Sequence, residues 1–235
     1  MAILEYEKEI FYIKRQDYLK AFPGYTSFPG GKIEKEDHNF NSELDLKGGF
    51  LPGHCGALVR EIKEELGLDL ELLNKNKEIL EIMLLGHSTT PEFNPIRFKA
   101  FYYKIVLKNR PEIILNLDES FESNWNRPES ILELFKQAKI LVVPPFLTLL
   151  KNFIKADQKA PQTFDLKYNS EMEVPLLTPT GGVRQLLPLS NTFPPANRTN
   201  CFIIGDSEKN RIIVDPSPKN KNEYHMRQLL FRAAK

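Results

Sequence analysis

Ala57-Leu58-Val59-Arg60-Glu61-Ile62-Lys63-Glu64-Glu65-Leu66-Gly67-Leu68 is the stretch on which the fold turns. At about 100° per residue, Leu58, Val59, Ile62 and Leu66 share one apolar arc, the mark of a helix packed on a core. Gly67 supplies a C-terminal stop. Glu61, Glu64 and Glu65 fall in a second arc, expected on the far side of the helix. One turn therefore carries three carboxylates. On its own this is also the pattern of a solvated face, because Arg60 can pair with Glu64 at i, i+4. Repulsion between exposed like charges costs only about 0.2–0.5 kcal/mol per pair, which does not demand a metal.

Strands and helices alternate on both sides of this helix. Ile10-Phe11-Tyr12-Ile13 is a compact β-rich run, and Phe22-Pro23-Gly24 and Phe28-Pro29-Gly30-Gly31 follow as close breakers. Residues 38–55 are polar and glycine-rich and read as a loop. Strands are expected at 79–85 and 97–107. Helices are expected at 130–139, where Ile131, Leu134, Phe135 and Ala138 repeat with helical period, and from Phe146 to about Lys155. The pattern predicts a mixed α/β domain over residues 1–155. Residues 156–180 read as a linker. Residues 181–235 carry strand-like runs at 183–189, 201–205 and 211–215, the last two flanking a polar hairpin loop at 206–210.

Upstream of the helix, Phe28-Pro29-Gly30-Gly31-Lys32-Ile33-Glu34-Lys35-Glu36-Asp37 places a glycine turn before a run of acids. Together the two segments resemble the Nudix box: a glycine, an acidic residue, then Arg-Glu-apolar-x-Glu-Glu-x-Gly-apolar. Here these are Gly31, Asp37 and the run from Arg60 to Leu68. The second half matches at every defined position. The first half departs twice: Asp37 stands where the common pattern has Glu, and 22 residues, not seven, separate it from Arg60. An interrupted box is similar to the Nudix subgroup that includes peroxisomal coenzyme A diphosphatases. Lys14-Arg15, Thr90-Pro91 with Arg97-Phe98, the run from Asp118-Glu119 through Glu122 to Trp125, and Pro144-Pro145-Phe146 add to that likeness.

The resemblance implies a Nudix fold, a mixed β-sheet sandwiched between helices, with a small C-terminal β-rich appendage. It also implies hydrolysis of a phosphoanhydride in a nucleoside diphosphate linked to another group, with coenzyme A or a related nucleotide cofactor foremost. Mg²⁺ or Mn²⁺ is the implied cofactor, since hard divalent ions take carboxylate oxygens. Glu61 and Glu65 are then expected as metal ligands, Glu64 as a ligand or as the residue that activates water, and the Gly31 carbonyl as a further ligand. Arg60 would orient the glutamates. Gly30 lets backbone approach phosphate. Glu119 and Glu122 are candidates for an extra ligand or general base, or are simply loop acids. Arg15 and Arg97 are candidate phosphate contacts, or strand-end surface cations. His54-Cys55 has no partner pair for a zinc site, and Trp125 is expected in the core.

Lys plus Arg number 32 and Asp plus Glu 31, a balance that excludes a dedicated nucleic-acid binder. No apolar run reaches membrane-spanning length. Glu5, Glu7, Lys8 and Glu9 interrupt the first ten residues, so a soluble cytoplasmic protein is expected. The expected partner is a small-molecule nucleotide diphosphate, with a homodimer left open. Residues 183–220, within the segment 181–235, resemble the opening strands of a metallo-β-lactamase-fold hydrolase, incomplete here. Asp215 would help order its metal site, but no H-x-H pair is present. Two alternatives stand beside the hydrolase: a catalytically silent Nudix-like nucleotide-binding module, and a fragment of a two-domain hydrolase.

Overall fold

The structure is a computed structural model that describes residues 1–46, 49–94, 97–155, 161–166, 176–188, 198–205, 210–216, 218 and 220–225. The chain enters on β1 (Ala2–Tyr6) and returns on β2 (Glu9–Arg15), followed by a short β3 (Thr26–Ser27). A 3₁₀ turn (Glu36–Asn39) precedes α1 (His54–Leu66) and α2 (Leu70–Lys75). Then come β4 (Ile79–Thr89), β5 (Lys99–Leu107), β6 (Ser120–Asn126), α3 (Pro128–Lys136) and α4 (Pro144–Lys155).

These strands build a mixed sheet. β1 runs antiparallel to β2 and parallel to β5, β5 is antiparallel to β4, and β6 lies antiparallel against β2. Side-chain alternation then sends neighbours to opposite faces. Phe11, Ile13 and Tyr103 meet Leu58, Val59, Ile62 and Leu66 of α1. Ile10, Tyr12 and Tyr102 meet Ile131 and Phe135 of α3 and Phe146, Leu149 and Leu150 of α4. The sheet is thus sandwiched between helices, as expected. Trp125 packs on the α1 side, its ring 5.2 Å from that of Phe11.

The structure corrects several local expectations. α1 begins at His54 rather than Ala57, because Gly53 at φ 76° turns the chain directly into it. The segment 38–55 is not wholly a polar loop, since Leu44 and Leu46 are buried in the α1-side core. The acids from 118 to 125 are not all loop: β6 starts at Ser120. α3 ends early, Ala138 having swung to φ 57°. α2 went unseen in the sequence although Asp69 caps it, its Oδ1 accepting the Leu72 N–H at 3.0 Å.

Within 156–180, expected as linker, the described residues form two strands. β7 (Gln162–Thr163) joins the main sheet parallel to β4, and Phe164 is buried in the α3/α4-side core. β8 (Leu176–Thr180) opens a separate antiparallel sheet with β9 (Val183–Leu186), β10 (Cys201–Ile204) and β11 (Ile212–Val214), in the order β11-β10-β9-β8. The expected hairpin loop at 206–210 lies outside the described residues except for Asn210. Among the described residues no helix is long and apolar enough to cross a membrane.

Candidate active site

Two segments distant in sequence meet at the solvent-facing edge of α1. The first is the turn after β3, anchored by Phe28, which is buried and stacked on Phe146 at 4.5 Å. Gly30 adopts φ 127°, where a side chain would be strained and would strike Met1 Cα at 2.8 Å. Its N–H donates to Glu65 Oε2 at 3.1 Å. Gly31 has no room for a Cβ, which would stand 2.3 Å from Glu61 Oε1. The bare glycine backbone is therefore what lets the Glu61 carboxylate lie against the turn.

The second meeting bridges the 22-residue spacer between Asp37 and Arg60. Arg60 grips Asp37 side-on with two donors of its guanidinium: Nε donates to Oδ1 at 3.1 Å and Nη2 to Oδ2 at 3.0 Å. Nη1 donates to Glu61 Oε1 at 2.9 Å and to Glu64 Oε2 at 3.2 Å, and Nη2 also reaches the Lys32 carbonyl at 2.8 Å. Asp37 is buried, which would raise its pKa. Hydrogen bonds from Arg60 and the Glu34 N–H outweigh that and hold its carboxyl below the usual range. The Asp37 contact, foremost, keeps Arg60 more firmly protonated than usual. Asp37 is thus brought to Arg60 across 22 intervening residues.

The three glutamates do not share one environment, which corrects the expectation that all lie away from the core. Glu65 is 3% exposed. Seven residues turn an α-helix by about two full turns less 20°, so position 65 lies almost directly above Leu58, at the edge of the core stripe. Burial, then the nearby charge of Glu119, with a lesser push from Glu61, raises the Glu65 carboxyl well above the usual range; the Gly30 N–H offsets part of this. Burial also raises Glu61, against the pull of Arg60. Glu64 instead is more than half exposed and held by Arg60. Among the described residues no three His, Cys, Asp or Glu side chains form a ready-made ligand cluster. Two under-compensated carboxylates against a glycine turn nonetheless suit a hard divalent cation.

Glu119 is brought to this edge, since its charge acts on both Glu61 and Glu65. Glu122 is not. The β2–β6 register sets it opposite Lys14, on the sheet face of Tyr12 and away from α1, where it accepts from Asn124 Nδ2 at 2.9 Å. Arg15 lines the neighbouring cleft and its charge favours ionised Glu65. Arg97 is exposed, its Nε 3.4 Å from the Thr90 carbonyl, and does not line that cleft.

The cleft has a volume of about 590 Å³ and runs along α1 past Gly31 and Glu61. Its walls are mostly apolar and aromatic, with Phe22, Phe93, Phe98 and Phe101 prominent and Lys99 at one side. That size and lining are typical of small-molecule sites. These aromatic walls were not singled out from sequence; the alternation across β5, with Phe101 and Tyr103 on one face, is the signal that could have found them.

The first unit has the fold of the Nudix hydrolases. A solved Nudix hydrolase from Alicyclobacillus acidocaldarius superposes with a TM-score of 0.55 at 18% identity, over 66% of this chain and 89% of that one. A curated Caenorhabditis elegans protein, named "Putative nudix hydrolase 7", is 24% identical over 166 residues. The match takes in 59% of this chain, which spans about half (53%) of that relative's length. No protein-family model matches the chain.

Proposed function

We propose that the chain is a divalent-metal-dependent Nudix-type pyrophosphohydrolase. It would split the phosphoanhydride of a nucleoside diphosphate linked to another group, coenzyme A or a related nucleotide cofactor being the substrate expected from the subgroup resemblance. The observation that carries this reading is the pair Glu61 and Glu65, raised in pKa and set against the Gly30–Gly31 turn beside an aromatic cleft. Glu61, Glu65 and the Gly31 carbonyl are the groups suited to hold Mg²⁺ or Mn²⁺, with Glu119 near enough to assist. Such an ion, when bound, neutralises diphosphate charge and lowers the pKa of bound water.

The chain's own residues divide the remaining work. Arg60 fixes the carboxylates of Glu61 and Glu64 in place through its anchor on Asp37. Glu64, exposed and held by Arg60, would take a proton from an attacking water. Arg15, which lines the cleft, would contact phosphate, and the aromatic walls would supply stacking area for a base. The enzyme works on a small molecule, in the cytoplasm, as a monomer or homodimer. For the tail, we propose only that β9–β11 open a metallo-β-lactamase-like unit, by their order and by Asp215 at the end of β11.

Hydrolysis of a panel of nucleoside diphosphate derivatives with Mg²⁺ or Mn²⁺ tests this. Glu64→Gln and Glu65→Gln should each lower turnover by about 100-fold or more. Undiminished turnover in both would overturn the assignment. Calorimetric nucleotide binding without any product across the panel would identify a binding module instead.

A further inference from the structure

His54 is the first residue of α1 and lies seven residues before Glu61. At 1.5 Å per residue that is about 10 Å farther along the same helix face, hence farther along the cleft that both side chains line. Its Nδ1 is 2.8 Å from Tyr103 Oη, and its ring meets Phe101 edge to face with centroids 4.5 Å apart. Tyr103 is 2% exposed, so its hydroxyl has been taken from water and given this imidazole as its partner.

The pair carries no charge near neutral pH. Burial pushes the Tyr103 phenol up to about 12, and burial, ahead of the nearby terminal ammonium, lowers the His54 imidazole. With Nδ1 engaged, Nε2 is the ring's second hydrogen-bonding atom, as donor or acceptor according to tautomer. Around it the cleft is aromatic. Lys99 also lines it and places its ammonium 5.1 Å from the Phe101 ring centre, which disfavours a second cation there. An anion would be drawn to Lys99, whereas the neutral imidazole offers an uncharged hydrogen-bonding partner.

We propose that His54, held in orientation by Tyr103, is a specificity-determining residue that binds an uncharged hydrogen-bonding group, a hydroxyl or amide, on the part of the substrate beyond the diphosphate. The inference rests on the hydrolase reading for its reaction, but its geometry concerns the cleft end remote from the carboxylates. Tyr103 acts through His54 and is a positioning residue.

The test compares ADP-ribose, whose distal sugar bears neutral hydroxyls, with the β-methyl ester of ADP, which lacks such a group. In His54→Ala and Tyr103→Phe, kcat/KM for ADP-ribose should fall about 3- to 10-fold, through KM, while the methyl ester is unaffected. His54→Gln, which keeps a neutral donor and acceptor, should recover part of the loss. Equal losses on both substrates, or no loss, overturn the proposal. If the wild-type protein hydrolyses neither compound nor any other member of the diphosphate panel, the hydrolase reading fails separately. Calorimetry with the α,β-methylene analogue of ADP-ribose then decides on His54: weaker binding in His54→Ala supports it, whereas no binding by wild type or unchanged affinity overturns it.

Discussion

Asp37 and Arg60 show how far one ion pair can govern a site. Asp37 is almost wholly buried, Arg60 about a quarter exposed, and two hydrogen bonds join them. Asp37→Asn removes the charge and leaves Arg60 under-compensated, at a cost of about 2 kcal/mol, or roughly 4–8 °C in Tm for a protein of this size. The pH dependence has a definite sign. The folded carboxyl is depressed, so its stabilisation is complete above the ordinary aspartate range near pH 4 and is lost as pH falls further through the folded pKa. Thermal melts from pH 3 to 7 should therefore converge for wild type and Asp37→Asn at the acid end and separate above pH 4. A constant gap across that range would show that the charge on Asp37 is immaterial.

At the scale of elements, one glycine in the turn against α1 and one within α1 make contrasting predictions. Gly31→Ala adds a methyl group that meets only the Glu61 carboxylate, the far end of a flexible side chain. It should leave Tm within about 2 °C, less than 1 kcal/mol, while activity drops because Glu61 is pushed from the turn. Gly56→Ala drives a methyl into the Asp37 backbone, 2.5 Å from its carbonyl oxygen, and neither element can yield easily. It should destabilise by about 1–3 kcal/mol, measurable by urea unfolding. The same elements show what was legible in advance. The apolar period of α1 and the glutamate spacing are local, so helix and carboxylates could be read directly. Burial of Glu65 could not be taken from that pattern, because position 65 sits on the border between two arcs and the Gly30 turn closes over it. The face that Glu122 takes was illegible for a related reason: a strand sends alternate residues to opposite faces, and only the register with β2 decides which.

For the whole molecule, the sheet and its two cores draw on residues past the expected boundary at 155. Phe164, 3% exposed, packs against Tyr102 and the α3/α4 core, and Gly86 of β4 approaches Gln162 so closely that no side chain fits there. Phe164→Ala should cost about 3–5 kcal/mol, and differential scanning calorimetry should show it lowering the melting of the entire first unit. No loss would mean that this strand is dispensable. Pairing of this kind is nonlocal: two residues of β7 have no periodicity to display, and a Pro- and Lys-rich neighbourhood reads as linker however firmly one phenylalanine is anchored. The tail also reaches the cleft, since Leu177 lines it and Arg198 sits 5.7 Å from the Phe93 ring centre.

The clasp of Arg60 on Asp37 has a consequence for chain entropy. Closing a flexible loop costs free energy that rises only with the logarithm of its length, so stretching the connection from seven residues to 22 adds about 1 kcal/mol. A single charge-assisted hydrogen bond of the clasp is enough to offset that. The box therefore depends on where its two ends are pinned and hardly at all on the contour between them. A spacer that would defeat a pattern search leaves the carboxylates of α1 against the Gly30–Gly31 turn.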